Sequence, residues 1–171
     1  MYSDSFVEAR PDHQFLRRFS LLEGIAGGVF PTAQPVLNPA GAPYLMPGGR
    51  QYTTDQARGA VYSLLLQVAG GALHPGQFLA QRPSPSSGTS PEEDLWEEVG
   101  AWVKIRNTVA HEGTAQRAGG NSVSAARQSF EASLSQYGPA GGTWTTGFAA
   151  LASALRSATE STIYAVIAGR V

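Results

Sequence analysis

The chain has no cysteine. That excludes disulfides and thiolate zinc sites, and it agrees with a reducing compartment. Lysine is nearly missing as well: Lys104 is the only one, against eleven arginines, and thirteen acidic residues bring the formal net charge to −1. A balance so close to neutrality excludes a generic polyanion binder that works through a broad basic surface, so any nucleic-acid recognition must be local. No apolar run approaches the roughly 18 residues of a membrane span, and no membrane partner is expected. The first residues include Asp4, Glu8, Arg10 and Asp12 where a secretory leader would have a basic start and an apolar run, so a cytoplasmic location is expected. No alternating β-branched run is found, and no strand is expected.

What is present is helical pattern. The 171 residues suit one domain, 1–171, with a single core that needs no staples. The expected fold is all-α, a bundle of about five helices with roughly 55 to 60% helix, well above the globular average. The first helix starts at Pro11-Asp12 and puts Phe15, Phe19, Leu22, Ile25, Ala26 and Val29 on one face, with Arg17, Arg18 and Glu23 mostly off it. Thr53 and Gln56 form a capping-box pattern opening a central helix over about 54–72. Further helices are expected over about 122–137 and about 144–168, the latter with Trp144, Phe148, Leu151, Leu155, Ala158, Ile163 and Val166 as its stripe and Gly169 as its stop.

Two proline-rich stretches separate these helices. Residues 31–52 carry prolines at 31, 35, 39, 43 and 47, a four-residue spacing that matches no repeat fold and reads as extended, polyproline-like chain lying across the bundle. So long a loop tends to be either functional or mobile, and a cleft cover or part of a dimer contact is the expectation. Residues 75–90 read as a flexible Pro/Ser connector, with His74 before it as a structural, carbonyl-facing residue.

The chemistry concentrates in one helix. Ser90-Pro91-Glu92-Glu93 supplies an N-cap hydroxyl, a proline at the first helical position and a glutamate to close a capping box. The acidic run Glu92 to Glu98 reads as dipole complement and solvated face. From there Leu95, Val99, Trp102, Val103, Arg106, Val109 and Ala110 form a stripe that places Arg106 on or beside the buried face, and Glu112-Gly113 stops the helix. Within its last turns Arg106, Asn107 and His111 bring a permanent cation, an amide and an imidazole into six residues. Asn107 and His111, four apart, share a face, whereas Arg106 and His111, five apart, differ by about 140° on an ideal helix. A groove at the helix end, or a two-fold pair of such helices, is what would unite them. In isolation, an arginine on an apolar stripe often serves packing and a last-turn histidine often only satisfies carbonyls.

The run Arg106-Asn107-Thr108-Val109-Ala110-His111, with Ile105 before it and Glu112-Gly113 after it, resembles the signature of HEPN domains: an arginine, a polar residue, and a histidine after four to six intervening positions. The resemblance implies a helical bundle, a homodimer with the motif at its interface, and a metal-independent endoribonuclease of toxin–antitoxin or antiviral defence systems. RNA is then the substrate, an antitoxin or larger defence assembly the further partner, and no cofactor or metal is required. The residue types suit that chemistry. Imidazole takes and returns a proton near neutral pH, giving His111 the acid/base role. A guanidinium meets the charge building on a phosphorane with two parallel donors, giving Arg106 the electrostatic role, while Asn107 fixes the imidazole or contacts phosphate or base. Some toxin members carry a tyrosine two residues after the histidine, modified by a partner; Gly113 stands there in this chain. The rival reading is a non-catalytic helical interaction or nucleotide-sensing module.

Overall fold

The computed structural model describes residues 10–70, 74–79, 90–112 and 144–171, the side chains at 111–112 and 144–147 excepted. Among them are four α-helices, one short 3-10 turn and no strand: α1 Pro11–Val29, α2 Ala57–Ala69, the turn Pro75–Phe78, α3 Pro91–Glu112 and α4 Trp144–Ile167. The fold is all-α, as expected. The helix expected over 122–137 lies outside the described residues.

The helix ends follow local chemistry. Ser90 Oγ accepts the Glu93 N–H at 3.2 Å, so α3 has the cap its sequence foretold. Gly169 closes α4 at φ +64°, with its N–H on the Val166 carbonyl and the Arg170 N–H on the Ala165 carbonyl. The start of α2 departs from expectation. Its N-cap is Gln56, not Thr53, and no side chain caps it. Thr53 instead donates its hydroxyl to Asp55 and lies in an extended segment outside the helix.

Phe15, Phe19 and Leu22 of α1, Leu64 and Leu65 of α2, Leu95, Trp102 and Ile105 of α3, and Leu151 and Leu155 of α4 are fully enclosed. Each such side chain contributes about 1.5–3 kcal/mol relative to exposure. α1 lies along α4, and α1 and α2 each touch all three other helices. The stretch at 75–90 begins in the core rather than as free connector, because Phe78 of the turn is fully buried.

Two charged positions contradict the sequence reading. Arg18, expected off the apolar face, is only 4% exposed, and its guanidinium donates to the Ala152 carbonyl of α4 at 2.5 Å. Glu98, expected on a solvated face, is fully buried and accepts the Trp102 indole N–H at 2.9 Å. The reason is register: 98 and 102 are four apart, on the stripe of Leu95 and Ile105. In α4 the last buried positions go to Thr159, Thr162 and Ala165, while Val166 is exposed. The two threonine hydroxyls bond back to the Leu155 and Ala158 carbonyls, so neither is left unsatisfied.

The proline-rich stretch is not a polyproline strap. It folds into a three-cornered ring with an eight-residue period, Gln34-Pro35-Val36-Leu37-Asn38-Pro39-Ala40-Gly41 followed by Ala42-Pro43-Tyr44-Leu45-Met46-Pro47-Gly48-Gly49 and then Arg50-Gln51-Tyr52-Thr53-Thr54. The Tyr44 N–H donates to the Val36 carbonyl at 2.9 Å, the Tyr52 N–H to Tyr44 at 2.8 Å, and the Val36 N–H to Tyr52 at 2.9 Å, closing a cycle. A second cycle runs Asn38 to Ala42, Met46 to Arg50 and Thr54 to Gln34, at 2.7–2.9 Å. Three antiparallel bridges result, Pro35 with Thr53, Leu37 with Pro43 and Leu45 with Gln51. Gly41 and Gly49 turn the first two corners at φ +79° and +82°, which only glycine adopts without strain. Val36, Tyr44 and Tyr52 face the bundle; Leu37 and Leu45 face outward.

Candidate functional site

The Arg106 side chain leaves α3 at the edge of its buried stripe and is 27% exposed. Its placement is set by α1. One guanidinium nitrogen pairs with Glu23 Oε1, the other donates to Asn107 Oδ1 at 2.7 Å, and the cation lies 5.4 Å from the centre of the Phe19 ring. Arg106 Nε faces the interior with no acceptor. Phe19 and Glu23 are four apart on α1 and so present one ring and one carboxylate to the same guanidinium.

The structure therefore brings Arg106 and Asn107 together and adds Glu23, which the sequence reading had set aside as an off-face acid. Glu23 is itself only 26% exposed. The signal for it was its position one turn after Phe19, at the boundary of the apolar face. His111 belongs to the last turn of α3, and its side chain lies outside the described atoms. Asn107 is exposed, and Thr108 turns its hydroxyl back to the Lys104 carbonyl at 3.0 Å, away from the pair.

The electrostatics of this corner are balanced. A carboxylate on a guanidinium leaves little net charge, so an incoming phosphate must share the cation with Glu23 or displace it. His74 is structural, with one change of partner: its Nδ1 accepts the Gly76 N–H at 3.1 Å and caps the 3-10 turn, where a contact to carbonyls had been expected. Among the described residues no three His, Asp or Glu side chains are grouped as metal ligands would be. None of the described helices is long and apolar enough to cross a membrane.

A second cluster sits where the ring meets the bundle. Tyr44 stacks on Trp96 at 3.9 Å and 11°, while Tyr52 and Tyr62 meet the same indole edge-on at 4.9 and 5.1 Å. Burial pushes the pKa of the Tyr44 and Tyr62 hydroxyls above the ordinary tyrosine value, and at Tyr62 the hydrogen bond with Tyr44 adds to the effect. The two hydroxyls face each other in this cluster, and no other polar side chain bonds to either.

Comparison with protein-family models, with curated proteins and with solved structures returns no match.

Proposed function

We propose that the chain is a metal-independent endoribonuclease of HEPN type, acting on RNA as a homodimer within a defence or toxin–antitoxin setting. The reading rests on one observation: at the end of α3 a half-buried guanidinium is held by a carboxylate, an amide and an aromatic ring, within two turns of the motif histidine. An arginine fixed before substrate arrives loses little freedom when it binds, which is the economy a preorganised electrostatic catalyst needs. In this reading His111 moves the proton, Arg106 meets the developing phosphorane charge and Asn107 supports one or the other. The five-residue offset of Arg106 and His111 calls for the second copy to complete the cleft.

One observation favours the rival. Glu23 already compensates the charge on Arg106, which suits a structural brace in a non-catalytic interaction module. The discriminating experiment incubates the purified chain with RNA and a chelator, beside Arg106→Ala and His111→Ala. Cleavage that survives chelation and falls by about 10²–10⁴-fold with His111→Ala supports the nuclease. No cleavage, or equal cleavage by all three proteins, supports the interaction module.

A further inference from the structure

Arg58 is held in a manner that describes a ligand in its site. Its Nε and Nη2 both donate to the Trp96 carbonyl, at 3.2 and 2.9 Å, and Nη2 also reaches Glu97 Oε1 at 3.2 Å. Its Cζ lies 3.9 Å from the Trp96 ring centre and 5.6 Å from that of Tyr52. Tyr44 is stacked on the same indole at 3.9 Å, so the phenol and the guanidinium occupy opposite faces. The floor is cut away for it: a Cβ at Gly100 would come within 2.6 Å of Cζ. The side chain is 17% exposed.

These contacts select one chemical class. Two donors on one carbonyl need the fork of a guanidinium, and the close approach of Cζ to the indole face suits a planar, delocalised cation. An ammonium offers neither. Glu97 supplies the anion, and the missing side chain at Gly100 supplies the thickness of the plane.

We propose that the recess bounded by Trp96, Tyr52, Glu97 and the notch at Gly100 is a guanidinium-binding site that Arg58 fills in cis. Removing the Arg58 side chain empties it without removing any of the groups that recognise the cation. The proposal does not depend on what Arg106 and His111 do.

The test uses the full chain with Arg58→Ala, melted in low-millimolar guanidinium chloride or methylguanidinium chloride, with sodium chloride, tetramethylammonium chloride and urea as controls. Saturating guanidinium is expected to raise Tm of the variant by about 2–4 °C, while the unmodified chain shows only the shallow decline of a weak denaturant. Urea, of the same shape without the charge, and tetramethylammonium, charged but not planar, are expected to give no rise. Adding Gly100→Ala to the variant is expected to abolish the rise, because the new Cβ stands against the face that the ligand would occupy. Should Arg58→Ala be unfolded in buffer, recovery of helical circular dichroism with methylguanidinium supports the site and its failure overturns it. A rise shared by the unmodified chain, one that persists with Gly100→Ala, or none at all also overturns it.

Discussion

Replacing Gly59 with alanine tests the docking of the ring on α2. Gly59 lies in the first turn of the helix, and a Cβ there would come 2.3 Å from the Thr53 carbonyl oxygen and 2.9 Å from Val36 Cγ2. The first of these is backbone tied into the ring, so it cannot swing aside as a flexible side chain would. Reaching ordinary contact requires the ring to retreat by about 1 Å, an overpacking of the kind that costs about 1–3 kcal/mol. Alanine is the better helix former by about 0.5–1 kcal/mol, which offsets part of that cost. The net expectation is a loss of about 1–2 kcal/mol and a fall in Tm of about 2–8 °C. Gly24 in α1 is the internal control, since nothing lies within 4 Å of its Cβ position and only the propensity gain applies. Gly24→Ala should therefore raise Tm by about 1–4 °C. Urea titration and thermal melts of both variants read the difference, and the two must move in opposite directions. If Gly59→Ala is as stable as Gly24→Ala, the close approach of ring and helix is wrong.

Two further outcomes follow from titratable groups. The Tyr62 hydroxyl is buried with only the Tyr44 hydroxyl facing it, so Tyr62→Phe should change stability at neutral pH by no more than about 1 kcal/mol. Because folding raises its pKa above the ordinary 10.0, the phenol's contribution is full below pH 10 and fades as pH rises beyond it, so the variant should also soften the alkaline loss of stability seen in a melt series. Burial pushes the Asp12 carboxyl up, but the hydrogen bonds and charge of Arg10, with help from His13, outweigh it and hold the group below the ordinary 3.8. Its contribution is thus complete above that value and lost as pH falls through the lower folded one. Asp12→Asn should lower stability at pH 7 and leave it less sensitive to acid below pH 4, a difference that parallel acid titrations by circular dichroism would reveal.

Helix positions were legible in the sequence because they depend on neighbours a few residues away: the Ser90 cap, the Phe15, Phe19 and Leu22 face, the Gly169 stop. Burial of charge was not. Arg18 meets a carbonyl on α4 and Arg106 meets a carboxylate on α1, and neither partner is visible from the arginine's own helix. The ring shows a different limit. Prolines every four residues were read as one period, whereas the structural unit is eight, with two prolines in each of the first two units and an aromatic or branched residue, Val36, Tyr44 or Tyr52, at its centre. The third unit, Arg50-Gln51-Tyr52-Thr53-Thr54, has no proline, so composition hid the repeat that hydrogen bonding reveals. At the candidate site, the motif predicted Arg106 beside Asn107, and only the fold supplied Glu23.

Closing the ring on itself also bears on solubility. An open hairpin with Leu37 and Leu45 on its outer side would offer unpaired amides beside apolar side chains, the combination from which edge-to-edge association starts. Here each extended segment is bonded to both of the others through the residues on either side of the leucines, Val36 and Asn38, Tyr44 and Met46, so a neighbouring chain meets no continuous run of free amides there.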